Sequence, residues 1–342
     1  MFVLSSLYRK TNIYDCPACK CVKAGGISMK KIITWIVLFA LALALLGCSS
    51  APKEKILIGL QLTPASTLVQ VADEKGFFKN NGLDIEIKEF TAGKFAFQAM
   101  MAKSVQFSVV GDIPVTLAKM QGNGFYVLSE VGENKNEAPL LIRDDGSKSV
   151  ADFFAKKRKI STSIGGTPEF SLYLNLKANN IPKEQVEIVA QRPEEMVGAL
   201  SNGSVDGINI FEPYPSIAEE KMQGKTKRFP LAPQIYTAKY LLAADSDFVN
   251  KNPQIAQKML KSLKEAQDFV QSHPQEAQEI VAKRTKFDRL IISKIWGDFD
   301  FKARLSGQLS KTLEMERDWA IETGKVKDGA ATDFSSLMWQ AS

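Results

Sequence analysis

Asp112 and Glu212 stand 100 positions apart, each ending a short apolar run that leads into a helix-like segment: "KSVQFSVVGDIP" and "GSVDGINIFEPY". A carboxylate at such a place could receive a hydrogen bond or an amine from a small molecule. It could equally cap the helix behind it, because acidic side chains favour helix N-termini. The two roles are compatible. "GGTP" (Gly165 to Pro168) offers the complementary chemistry: its glycines permit close backbone approach, Pro168 suits a first helical turn, and the N–H groups of a helix start attract a sulfonate, carboxylate or phosphate. A plain turn with a threonine cap would use the same residues. Gln61, Thr63, Ser66 and Thr67 in "QLTPAST" could play that part in the first half of the chain. Gly166, Thr167, Arg192 in "AQRPEE", Tyr214 beside Glu212, and Lys94 in "TAGKFAF" complete the candidates for contact with a ligand.

Catalytic sets are scarce. His273 is the only histidine, lies before Pro274 and is expected to be exposed, and no cysteine follows Cys48, which removes the usual Ser-His and Cys-His arrangements. "CPACKC" lacks a second pair of metal ligands, and no G-x-x-x-x-G-K-[ST] loop is present. The expectation is a protein that is not an enzyme and uses no cofactor and no metal.

The candidates need elements to hold them. β-branched runs alternate with helix-like segments: "KILIGL", "LDIEIKEF", "VQFSVV" and "NGFYVLSEV" read as strands, with "KFAFQAMMAK" and "PVTLAKMQ" as helices between them. The series then repeats with "KISTSIGG", "QVEIVAQ" and "VDGINIF" as strands. Thr63-Pro64 matches Thr167-Pro168, "NNGLDIEI" matches "NNIPKEQVEI", and Ser104-Val105 matches Ser204-Val205. A duplicated α/β unit is expected. Ligands bind outside the carboxyl ends of strands in open α/β sheets, and the matched loops are all of that kind. Two lobes presenting these edges to each other would form a cleft.

Upstream, "MKK" (Met29 to Lys31), an uncharged apolar run to Leu46 and then Gly47-Cys48 form an export signal, shorter than the roughly 20 residues of a membrane-spanning helix. Its end, "LLGC", resembles the bacterial lipobox, in which the cysteine carries the lipid. Residues 29–47 are expected to be a lipoprotein signal peptide, Cys48 the lipidated anchor and 48–54 a linker. Residues 1–28 precede a complete signal, so the natural start is expected at Met29. Residues 1–47 carry six Lys/Arg against Asp15, a charge of +5 out of +6 for the whole chain, which leaves the exported part near +1. Nothing there suggests nucleic acid.

In order, "GLQLTPAST", "EKGFFKNNGLDIEI", "VVGDIPV", "SVADFFAKKRKISTSIGGTPEFSLYLNLKANNI" and "ALSNGSVDGINIFEPYPSIAE" resemble the nitrate, sulfonate and taurine family of ABC-transporter substrate-binding proteins, a group that includes binders of thiamine-pyrimidine precursors. The resemblance extends through the helical tail. It implies a two-lobed type II periplasmic-binding-protein fold of class α/β, with two mixed or parallel sheets and a ligand cleft between them. Lobe 1 would comprise 55–141 and 240–342, and lobe 2 would comprise 142–239, with hinge crossings near 140–143 and 236–242. The implied function is an extracytoplasmic receptor in the cell envelope. As a monomer it would deliver an aliphatic sulfonate or taurine-like solute to a permease with a separate ATPase. Binding of nitrate or a pyrimidine precursor, or a ligand-sensing lipoprotein, are the alternatives. "FEPY" resembles the family's aromatic-acid-Pro-Tyr loop, with Phe211 where that pattern usually has tryptophan.

Overall fold

The computed structural model describes residues 55–327 and 333–340. Cys48, the export segment and residues 1–28 lie outside the described residues. Eleven strands are found among those described: β1 (Ile56–Gln61), β2 (Ile85–Phe90), β3 (Phe107–Gly111), β4 (Phe125–Asn134), β5 (Leu140–Arg143), β6 (Arg158–Thr162), β7 (Val186–Ala190), β8 (Gly207–Asn209), β9 (Thr226–Phe229), β10 (Ala238–Asp245) and β11 (Phe299–Asp300).

They form two mixed sheets, ordered β11-β4-β10-β3-β1-β2 and β7-β6-β8-β5-β9. Both follow one plan. β1 pairs in parallel with β2 and β3, as β6 does with β7 and β8, and the register agrees: Ile58 lies opposite Phe107, and Ile160 opposite Gly207. Next comes an antiparallel strand that the chain supplies as it arrives from the other sheet, β10 in the first and β5 in the second. Asp112 directly follows β3, and Glu212 follows β8, so the matched carboxyls occupy corresponding sheet edges.

The apolar runs behave as buried strands. Ile58 and Leu60 of β1 and Leu241, Leu242, Ala243 and Ala244 of β10 are fully enclosed. Burial of each large aliphatic side chain contributes about 1.5–3 kcal/mol.

The chain passes between the sheets over residues 135–139 and 230–237. The crossings expected near 140–143 and 236–242 adjoin these segments, the second overlapping at 236–237. Leu140, Leu141 and Ile142 already belong to β5 and are fully buried, as is most of β10. Bending at either place would break packed core and sheet hydrogen bonds.

The tail packs mainly on the first sheet's helices. In helix Pro253–Ser272, Ala256, Met259, Leu263, Ala266 and Val270 recur every three or four residues and are buried against helix Thr67–Glu74. Helix Leu309–Glu322 lies against helix Asp112–Met120. It also reaches helix Thr167–Ala178 of the second half, where Trp319 meets Phe170 with ring centroids 5.1 Å apart. No helix among the described residues is long and apolar enough to cross a membrane.

Candidate functional site: a cavity between the two sheets

The carboxyl ends of the parallel strands from both sheets open onto one shared cavity. Gln61, Thr63, Ser66, Lys94 and Gly111 line it from one side, and Ser163, Gly166, Thr167, Phe211 and Glu212 from the other. Glu137 in the first crossing and Tyr240 of β10 complete the wall.

The loop after β6 is held in shape before any ligand arrives. Gly165 takes φ +72°, in the left-handed region that favours glycine, and its N–H donates to Glu169 Oε2 at 2.7 Å. Lys325 anchors the other oxygen of Glu169 at 2.7 Å. Among the described hydrogen bonds none uses the N–H of Gly166 or Thr167, both on the cavity wall. These donors open helix Thr167–Ala178, where the helix dipole favours an anionic group.

Opposite lies Gly111, whose φ of −71° any residue could adopt. A Cβ there would stand 2.8 Å from Thr167 Oγ1. What requires glycine at this position is the approach of the second half of the chain, not the local backbone. Lys94 also bridges the gap, donating from Nζ to the Ile164 carbonyl at 2.7 Å. Burial pulls the Lys94 pKa down, and Glu169 opposes that shift.

Three buried carboxyls surround the cavity. Glu212 Oε1 receives Arg228 Nη1 at 2.6 Å, and its Oε2 receives the Ser216 N–H at 3.3 Å. Burial pushes Glu212 up, and Arg228 pulls it back. Among the described residues no cation stands beside Glu137. Burial holds its pKa well above the usual carboxyl value, Tyr240 opposes by donating a hydrogen bond, and the charges of Glu212 and Asp112 raise it further. Asp112 is wholly enclosed behind Gly111 and accepts from the Tyr236 hydroxyl at 2.8 and 2.9 Å and the Lys239 N–H at 2.8 Å.

Of the sequence candidates, Gln61, Thr63, Ser66, Lys94, Gly166, Thr167 and Glu212 line the cavity. The other four do not. Thr67 is buried, its hydroxyl donating to the Pro64 carbonyl at 2.7 Å. Asp112 is buried behind it. Arg192 is exposed at the start of helix Pro193–Asn202, where Glu195 Oε2 accepts its N–H at 3.3 Å. Tyr214 packs between Phe211 and Phe287, with centroids 5.6 and 6.2 Å away. His273 is exposed and stacks on Phe269. Sequence reading missed Glu137 and Tyr240. Glu137 sits in a crossing rather than in a strand-to-helix loop, and Tyr240 lies inside an apolar strand, so neither carries a local signature.

Residues 63–277, more than half of the chain, match the family model described as NMT1/THI5 like. The chain belongs to that family. A Bacillus subtilis protein named for binding aliphatic sulfonates is 27% identical to it over 244 residues, covering 68% of this chain and 72% of that one. The taurine-binding periplasmic protein of Escherichia coli is 24% identical over 217 residues, with coverage of 64% and 67%. Among solved structures, the periplasmic aliphatic sulphonate binding protein SsuA of Escherichia coli superposes with a TM-score of 0.72. The identity is 21%, and the match covers 85% of this chain and 94% of that one. The two-lobed periplasmic-binding-protein fold is thus shared.

Proposed function

We propose that this NMT1/THI5-like protein is the extracytoplasmic solute-binding receptor of an ABC importer, taking a small organic anion or zwitterion of the aliphatic sulfonate or taurine type. The observation that carries this reading is the composition of the cavity. Free helix N–H groups at Gly166 and Thr167 suit a sulfonate or carboxylate, while Glu137 and Glu212 suit an amine at the other end of the same molecule. A bare inorganic anion such as nitrate would meet the carboxyls with nothing to offer them. The names of the Bacillus and Escherichia relatives agree with this ligand class.

A pyrimidine precursor is the second reading. Glu137, held towards its neutral form, could present a donor and an acceptor side by side, as the edge of an aminated heterocycle requires. Delivery to a permease, anchoring through a lipid on Cys48 and action as a monomer complete the proposal.

A thermal-shift screen with taurine, short alkanesulfonates, aminopyrimidines and nitrate tests it. A ligand at 100 times its Kd adds about 2.7 kcal/mol of stability. Taurine, which carries both a sulfonate and an amine, should raise the melting temperature most. A shift with nitrate alone would refute the zwitterion reading.

A further inference from the structure

Glu316 is fully buried in the middle of helix Leu309–Glu322, away from the cavity wall. Its Oε2 accepts the Thr116 hydroxyl, and Asp112 stands one turn before Thr116 on the same helix, close enough for its charge to act on Glu316. Its Oε1 is buried, and among the described residues no donor is aimed at it. Asp112 is better supplied: Tyr236, the Lys239 N–H, the Ile113 N–H at 3.0 Å and, across the cleft, the Thr167 hydroxyl at 3.4 Å all donate to it.

Two carboxyls this close in a buried site cannot both be ionised. The one with more donors keeps the charge. That leaves Glu316 as the acid, and a proton on Oε1 gives this orphaned oxygen its partner in Asp112. We infer that Glu316 is a positioning residue of the cavity: as a neutral acid it donates to Asp112, and so fixes the carboxylate that holds Thr167 on the cavity wall. This rests on reading the cavity as the solute site.

The groups acting on Glu316 are Asp112 and Thr116 on helix Asp112–Met120 and Tyr236 in the second crossing. The charged side chains nearby on packed elements are engaged elsewhere: Lys177 with Glu322, Lys325 with Glu169, and Lys119 with Ser336. Burial, reinforced by Asp112, holds the Glu316 pKa well above 4.5. The stability that depends on this proton is fully present below that value and is lost as the pH rises through the folded pKa.

Infrared spectroscopy of the whole protein at neutral pH tests the proton directly. Wild type should show the carbonyl band of a protonated carboxyl that Glu316→Gln removes, separable from the contribution of Glu137 by a parallel Glu137→Gln variant. Taurine titration tests the positioning. Glu316→Leu should weaken taurine binding roughly tenfold, and Glu316→Gln, whose amide can donate to Asp112 and accept from Thr116, should restore wild-type affinity and remove its fall at high pH. No band lost in Glu316→Gln, or a Leu variant that binds taurine as wild type does, overturns the inference. If wild type itself ignores taurine, the solute reading falls, while the infrared result still decides the state of Glu316.

Discussion

The hydroxyl of Thr167, on the second half of the chain, reaches Asp112 of the first half at 3.4 Å, directly over a glycine that a methyl group would crowd. Asp112 is tied at the same time to Tyr236 and Lys239, where the chain returns to the first sheet. Closure of the cleft, the second crossing and one cavity wall therefore meet at a single carboxylate. Hinge motion that a ligand stabilises by touching both lobes would act through this joint.

Gly111→Val should act as a wedge. Its backbone tolerates the side chain, so the melting temperature of the unliganded protein should change little. Solute affinity should drop at least tenfold, because the added carbons occupy the place of Thr167. Calorimetry beside thermal melts separates the two effects, and equal affinity in the variant would mean that the halves do not close in this way.

Arg228 is the counter-charge of a buried carboxylate. Arg228→Leu leaves Glu212 enclosed and unpaired, and should cost about 3–5 kcal/mol of stability. Adding Glu212→Gln should recover a large part of that loss. Denaturant melts of the two variants measure it, and no recovery in the double variant would show that Arg228 stabilises chiefly through its bond to Glu219, at 2.7 Å.

Glu137 makes stability fall with rising pH. Its folded pKa lies well above the unfolded value near 4.5, so the folded state holds a proton that the unfolded chain gives up. The associated stability is fully present below about 4.5 and is lost as the pH rises through the folded pKa. Glu137→Gln should therefore melt like wild type in acid and gain on it towards neutral and alkaline pH. Parallel curves at every pH would contradict the assignment.

Much of this architecture was legible from period and composition. The alternating strands and helices, and the match between Thr63-Pro64 and Thr167-Pro168, reappear as two sheets with one strand order. Loops at strand ends were legible as well, because Gly165-Gly166 before Pro168 is a local pattern. What escaped depends on distant parts of the chain. Glu137 and Tyr240 face one cavity only because β5 and β10 each join the sheet begun by the other half. Arg192 looked like an anion ligand from its place after a strand, yet it begins a helix in solvent. A strand end places a residue near the cleft but does not say towards which side it turns.

The proposed membrane anchor is assigned to the residues before 55. A chain started at Met29 should be exported and lipidated as well as the longer one, and Cys48→Ala should release the protein from membranes or leave it unprocessed. Mass spectrometry of the native N-terminus decides both points. An unmodified cysteine at position 48 would rule out the anchor.

Calorimetric titration of the whole protein with taurine, run on wild type and on Thr63→Ala, Thr167→Ala and Glu212→Gln, tests the two-sided cavity most directly. The account predicts one site per chain and roughly ten- to hundredfold weaker binding in each variant: Thr63→Ala and Glu212→Gln each lose a contact of about 1.5–3 kcal/mol from opposite walls, and Thr167→Ala loses the bond to Asp112 that holds its N–H on the cavity wall. Wild-type heats with no saturable binding of taurine or any alkanesulfonate, or three variants that melt lower yet bind as tightly as the parent, would contradict it.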